Sequence, residues 1–339
     1  MKPWRSIAAA SAAVLALTSA TALSAQAITG GDRDDANHYS NVGMIVFYEA
    51  GGRFRCTATL VSPKVLLTAA HCTAGTAGKT IVNFSPVIAE APPSGIPAAA
   101  DAALGYTDPD GDGIIVDPKG RDWYTGAAYA HPQYSDFTDL TNWNDVGVVV
   151  LDKPITNITP AAIAPVGTLD SIAKSTLSST LFRIVGYGTE VRKYQPVPED
   201  ANQGKKPTPQ SYPLVRRYAD APGQKLGPQI LQVNGNINDT RGTGGSCFGD
   251  SGGPTFYPGG GAAGEKIVTV TSYGYTANCR YLDGLQRVDI AVVQSWLMPI
   301  VTSGTAPLDY FGMVCKPTVW PRSSGPGPHL SVVCFKLQW

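Results

Sequence analysis

Runs of β-branched and aromatic residues, five to seven residues long, recur along this 339-residue chain: Val42 to Tyr48, Thr57 to Val61, Val65 to Ala70, Val146 to Leu151, Phe182 to Gly186 and Ile267 to Tyr273. Each is stopped by Gly, Pro, Asn or Asp, the punctuation of strands in sandwiches or barrels. Gly and Pro together make up about a fifth of the residues, against a usual ~12%, so turns dominate and long helices are excluded. One segment escapes the rule: Ile290 to Val301 carries Val293, Trp296, Leu297 and Ile300 at helical spacing. The length allows two domains of ~100 to 150 residues with some excess. The excess is visible as a polar stretch rich in Pro, Gln and Lys from Tyr194 to Pro228, read as a surface insertion, and a proline-rich tail from Ser303 to Trp339 without evident regular structure. No internal repeat of solenoid period is present. Basic and acidic residues balance at 26 each, which leaves no basic field for a nucleic-acid backbone.

The first 27 residues hold Lys2 and Arg5, an uncharged stretch from Ser6 to Leu23 and the small-residue pattern Ala25-Gln26-Ala27. That is the layout of a secretory signal peptide, and the stretch is too rich in Ala, Ser and Thr for a membrane span. Its removal would leave 24 basic against 26 acidic residues. Export makes the six cysteines candidates for disulfides. They fall by position into three groups, Cys56 with Cys72, Cys247 with Cys279 and Cys315 with Cys334, although six cysteines allow 15 pairings. Zinc is disfavoured because there is no C-x-x-C pair, and His71 beside Cys72 has no second ligand pair at finger spacing.

The segment Gly244-Gly245-Ser246-Cys247-Phe248-Gly249-Asp250-Ser251-Gly252-Gly253-Pro254 packs glycines around Ser251. A serine nucleophile needs a tight turn that exposes its hydroxyl and aims backbone N–H groups at a developing oxyanion. A phosphate cradle fits less well, since no Lys-Ser/Thr follows the glycines. Serine also needs a base. Of His38, His71, His131 and His329, His71 closes the apolar run Val65-Leu66-Leu67-Thr68-Ala69-Ala70-His71-Cys72. Asn144-Asp145 stands directly before the run Val146 to Leu151, which would bury the carboxylate in part and oblige it to find partners.

Thr68-Ala69-Ala70-His71-Cys72, Asn144-Asp145-Val146-Gly147 and Gly249-Asp250-Ser251-Gly252-Gly253-Pro254 together resemble the chymotrypsin-like serine peptidases, in the family's order His, Asp, Ser. The resemblance spans roughly Ile28 to Val301. It implies an all-β fold of two antiparallel six-stranded barrels, residues 28–165 and 166–288, with a carboxy-terminal helix at 289–301 and a tail at 302–339. It implies a secreted endopeptidase in which Ser251 attacks the scissile carbonyl, His71 carries the proton and Asp145 holds the imidazole. The N–H groups of Gly249 and Ser251 would form the oxyanion hole. Cys56–Cys72 and Cys247–Cys279 match family disulfides, and Cys315 with Cys334 would staple the tail. Polypeptide substrates are the only partners implied, with no nucleic acid, no membrane, no cofactor and no metal, and a monomer is expected. A peptidase homologue that binds without cutting is the rival reading.

Ile28-Thr29-Gly30-Gly31 resembles the family's mature amino terminus, with Thr29 as a departure. The resemblance implies that a free Ile28 amine pairs with Asp250, and a signal cut after Ala27 would create that amine directly. Gly245 stands six residues before Ser251, where trypsins carry the aspartate of the substrate pocket. Ser272-Tyr273-Gly274 matches the pocket wall, and Asp283 would either point in from the opposite side and accept basic residues or leave an apolar pocket. An aromatic, large aliphatic or mixed preference is expected. Asp108-Pro109-Asp110-Gly111-Asp112-Gly113 opens like a calcium loop, but Lys119 at the twelfth position excludes an EF-hand and favours a polar turn over a looser calcium site.

Overall fold

The computed structural model describes residues 28–139, 141–191, 210–239, 241, 243–307, 313–320 and 329–336. The expected signal segment therefore lies outside the described residues, as does 192–209 of the expected insertion. All six apolar runs named above become strands. The first barrel consists of β1 (Val42–Glu49), β2 (Gly52–Ser62), β3 (Val65–Thr68), β4 (Ala77–Asn83), β5 (Asp122–Ala130) and β6 (Gly147–Leu151). They pair antiparallel in the ring β1-β2-β3-β6-β5-β4, closed by β4 against β1, while the short strand Ile114–Val116 extends an edge of β5. The second barrel consists of β7 (Leu181–Gly186), β8 (Arg217–Leu226), β9 (Ile230–Asn234), β10 (Pro254–Tyr257), β11 (Lys266–Gly274) and β12 (Leu282–Arg287). Its ring, β7-β8-β9-β12-β11-β10, repeats the connectivity of the first, and Asp32–Arg33 adds a two-residue edge to β8.

The continuous apolar runs have a packing cause. Along β1, Val42, Met44, Val46 and Tyr48 join a cluster that also contains Val185, Tyr187 and Val270 of the second barrel. Ile45 and Phe47, on the other face, join a cluster of first-barrel residues with Leu60, Leu66 and Val149. A strand buried on both faces has no reason to alternate with polar residues. The helix α1 (Ala291–Ser303) packs Val293, Leu297 and Ile300 into the shared cluster and ends at Gly304, whose φ of +64° lets its N–H reach Ile300 O at 2.8 Å. Trp296 meets the ring of buried His131 edge-on at 5.0 Å, so α1, though it follows the second barrel, is fastened to the first.

Two readings of the sequence need correction. The expected insertion from Tyr194 to Pro228 contains the barrel strand β8, which pairs with β7 over Leu181 to Gly186. Its buried positions are Arg217, Ala219, Ala221, Pro222 and Gly223, and an arginine with two alanines, a proline and a glycine does not look like a core stripe. The tail contains an antiparallel hairpin, Met313–Trp320 with His329–Lys336, in which Cys315 lies opposite Cys334. Its prolines hid the strands, yet Pro317 is tolerated because a hairpin has an unpaired edge.

A buried ion pair ties the amino-terminal segment to both barrels. Arg216 and Asp34 are wholly buried and meet at 2.7 Å through Arg216 Nε. Arg216 Nη1 donates to Val42 O and Phe84 O, both at 2.9 Å, and to the Tyr187 hydroxyl at 3.2 Å. Replacing both partners by apolar residues can be tolerated, whereas removing one strands a buried charge at about 3 to 5 kcal/mol. Asp34→Ala is accordingly expected to lower unfolding free energy by that amount in urea denaturation, and Asp34→Leu combined with Arg216→Met by clearly less.

Candidate functional site

The strand β3 ends at Thr68, and Ala70–Cys72 forms a single 3₁₀ turn that turns His71 out of the barrel. A disulfide from Cys72 to Cys56 fixes that turn to β2. The cysteines flanking His71 are thus consumed by each other and hold no metal. Across from the turn, the His71 backbone N–H donates to Asp145 Oδ1 at 2.9 Å, and His71 Nδ1 faces Asp145 Oδ2 at 2.8 Å. Because an ionised carboxylate only accepts, the Nδ1 proton sits in that bond and Nε2 keeps its lone pair. Asp145 is wholly buried, while the His71 side chain is 21% exposed. The other described histidines do other work or none here: His131 is buried against Val292 O at 3.3 Å, and His38 is exposed.

Second-barrel residues complete the surroundings of Asp145. The Ser272 hydroxyl on β11 donates to Asp145 Oδ2 at 2.6 Å and accepts from Trp143 Nε1 at 3.0 Å. The Asp145 N–H donates to Gln286 Oε1 on β12 at 3.1 Å. Ser272, expected as part of the pocket wall, is buried, and its hydroxyl orients the carboxylate. Neither Gln286 nor Trp143 was legible, since nothing local in the sequence links them to Asp145.

The serine loop is docked on the first barrel by backbone contacts. Thr57 N–H donates to Ser251 O and the Thr57 hydroxyl to Gly249 O, both at 2.9 Å. Gly252, at φ +74°, lies so close to Thr68 that an added Cβ would collide with Thr68 Oγ1 and stand 2.6 Å from Ala69 N. Only glycine allows the loop to approach the turn that carries His71. Among the described residues the Ser251 hydroxyl makes no hydrogen bond to His71, a bond that commonly tightens only when substrate is bound. Among those residues too, the N–H groups of Gly249 and Ser251 donate to no protein acceptor, whereas those of Asp250, Gly252 and Gly253 do. The two available donors are the pair expected for an oxyanion hole. From His71 a line of aromatic rings leads away from the site: Phe137 at 5.6 Å, then Trp143 at 5.1 Å from Phe137 and Tyr273 at 5.2 Å from Trp143.

Gly245, Gly274 and Asp283 come together, the last wholly enclosed. An added Cβ at Gly245 would meet Gly235 and stand 2.6 Å from Asp283 Oδ2, and one at Gly274 would stand 3.8 Å from Asp283 Oδ1. Asp283 is thus seated against the backbone of Gly235 and Gly245. Cys247 is bonded to Cys279, which braces this loop. Ile28 and Asp250 are both wholly buried but are not joined. Ile28 packs among Phe182, Ala219 and Leu285 in the second barrel, and Thr29 pairs with Gly245. Asp250 accepts from Gly188 N–H at 2.7 Å and from Cys247 N–H at 2.9 Å. Away from these residues, Asp108, Asp110 and Asp112 bring one oxygen each within 4.8 Å of the others, and Asp108 and Asp112 accept from Gly113 and Ile114 N–H, as in a self-bonded polar turn.

A family model described as Trypsin matches residues 115–297. Among solved structures the chain is similar to an HL collagenase, at 15% identity over 79% of this chain and 94% of that one with a TM-score of 0.47. It is also similar to a human heparin binding protein, at 14% identity over 81% of this chain and 97% of that one with a TM-score of 0.49.

Burial pushes both Asp250 and Asp283 up to about 7. An acid whose folded value lies above its unfolded one, ~3.9, binds extra protons in the folded state between those two values. Its contribution to stability is full below pH 4 and is lost as pH rises through about 7. Asp283→Asn removes that loss while keeping an acceptor for Ser246. It is expected to raise the melting temperature relative to the parent at pH 8.5 and to leave it nearly unchanged at pH 4, which thermal denaturation at the two pH values checks.

Proposed function

Given that the chain belongs to the trypsin family, we propose that it is a serine endopeptidase acting through Ser251, His71 and Asp145. The observation that carries this reading is the double hold of Asp145 on His71, by backbone and by ring, beside a serine loop seated against the same turn. His71 Nε2 takes the Ser251 proton as the hydroxyl attacks a peptide carbonyl. The imidazolium that forms is stabilised by Asp145, which needs no proton of its own. The carbonyl oxygen becomes an oxyanion within reach of the Gly249 and Ser251 N–H groups, each such donor being worth about 3 to 4 kcal/mol in the transition state. His71 then returns the proton to the leaving amine, and water repeats the sequence on the acyl-enzyme.

We infer that buried Asp283, beside Gly245, forms the base of the substrate pocket, which supports acceptance of basic side chains at P1, the substrate residue whose carbonyl is attacked, and the rings of Phe137, Trp143 and Tyr273 support apolar residues preceding it. Two disulfides stand among the described residues, and no described helix is long and apolar enough to cross a membrane. We infer export with a cut after Ala27, after which the freed Ile28 amine pairs with buried Asp250.

Two measurements bear on this reading. A serine-directed phosphonate should label Ser251 in the folded protein, and Ser251→Ala should lose both the label and peptide hydrolysis by about 10⁴- to 10⁶-fold in kcat. Folded protein that takes no label would instead be a binding homologue. Ser272→Ala removes one hydrogen bond to an ionised group, worth about 1.5 to 3 kcal/mol, so kcat is expected to fall roughly 10- to 100-fold with KM little changed in steady-state assays.

A further inference from the structure

Arg55 stands two residues before Thr57 on β2, so both side chains leave the face of the strand against which the serine loop is docked. Its guanidinium lies beside the oxyanion segment: a Cβ added at Gly249 would stand 3.4 Å from Arg55 Cζ and 3.5 Å from Nε. Arg55 Nη1 donates to Tyr187 O at 3.0 Å. Among the described residues, Nε and Nη2 donate to no protein acceptor and no carboxylate pairs with the group. The charge of Asp250 acts on it, but that acid is wholly buried and bonded to the Gly188 and Cys247 N–H groups. Arg55 itself is only half-buried. Phe248, which precedes Gly249, and Tyr212, whose hydroxyl acts on the same guanidinium, are both largely exposed. Arg55 is thus a half-exposed cation with donors to spare.

The serine loop separates it from the groups that would hold the substrate before the cut. On one side of the loop Gly252 N–H donates to Thr271 O and Thr271 N–H to Gly253 O, on β11, the strand that also carries Tyr273 and Gly274. On the other side Thr57 N–H, on β2, donates to Ser251 O. A peptide that lies along β11 before its scissile carbonyl reaches Ser251 therefore passes over the loop toward β2 and Arg55 after it. We propose that Arg55 determines specificity for the leaving half of the substrate, by pairing with an aspartate or glutamate at the first or second position after the cut bond. This rests on the endopeptidase reading and extends it. An extended chain advances about 3.3 Å per residue, so a carboxylate on either residue can reach a guanidinium beside Gly249. The spare Nε and Nη2 form the side-on fork that grips a carboxylate by two parallel bonds. Arg183 holds Asp220 by the same two nitrogens, at 2.9 and 2.7 Å.

The test compares kcat/KM for peptides that share one sequence except for glutamate or glutamine at the first or at the second position after the cut. A glutamate-to-glutamine ratio of about 5 to 20 is expected at one of the two positions, falling to about 1 in Arg55→Gln and below that in Arg55→Glu. An Arg55 that only supports Gly249 or Asp250 would slow both peptides alike in the variants and leave the ratio where it was. That result, like equal rates for the two peptides in the parent protein, overturns the proposal. Should the variants fail to fold, salt decides: in the parent protein the ratio is expected to fall at least about threefold between roughly 20 mM and 1 M sodium chloride, and a ratio independent of salt overturns the pairing. Such negative results from protein whose Ser251 takes the phosphonate overturn the leaving-side preference alone. Protein that neither hydrolyses the peptides nor takes the label overturns the endopeptidase reading with it.

Discussion

The Asp145 carboxylate accepts from the His71 backbone, the His71 ring and the Ser272 hydroxyl, and those donors come from both barrels. A wholly buried carboxylate with fewer partners would cost several kcal/mol, so the two barrels must meet with the turn at the end of β3 and the middle of β11 both turned toward it. The apolar cluster shared by β1, β7, β11 and α1 supplies the area for that meeting, and the Arg216–Asp34 pair fixes its edge. The packing of the domains and the geometry of the site are therefore one requirement. An error in their relative placement would be felt first at Asp145.

The three buried acids of the site differ mainly in how many donors they meet. Asp145 has three, Asp250 has the N–H groups of Gly188 and Cys247, and Asp283 has the N–H and the hydroxyl of Ser246. Hydrogen bonds to the charged form offset desolvation, so fewer donors leave a stronger pull toward protonation or toward an incoming cation. Asp145 is satisfied from within and can hold an imidazole in one orientation. Burial pushes both Asp250 and Asp283 up to about 7, Asp250 against the opposing charges of Arg55 and Arg217 and Asp283 with the like charge of Asp250 beside it.

Most of the fold was legible because its strands are buried on both faces and read as unbroken apolar runs, β1 and β6 above all. His71, Asp145 and Ser251 were legible because each sits at the junction of such a run or of a glycine cluster, where a polar residue stands out. β8 was missed because Arg217, Ala219, Ala221, Pro222 and Gly223 fill its buried positions, and the tail hairpin because Pro317 interrupts a strand that needs only one bonded edge. The part played by Ser272 could not be read from one sequence, since its partner lies 127 residues away. The placement of Asp283 was undecidable for the same reason: it depends on Gly235 and Gly245 making room, and neither adjoins it in the chain.

The two barrels share one ring order, β1-β2-β3-β6-β5-β4 and β7-β8-β9-β12-β11-β10, without a sequence repeat that would announce it. The division of labour between them is incomplete. The first supplies His71 and Asp145, joined by two hydrogen bonds, and both flank strands joined directly, β3 and β6. The second supplies the serine loop and, through Ser272 and Gln286, further partners of Asp145. Thr57 and Gly252 bridge the two, with contacts that are backbone at one end and so insensitive to side-chain change. The two hydrogen bonds between His71 and Asp145 lie within the first barrel, while the third hold on Asp145, from Ser272, ties their alignment to the second.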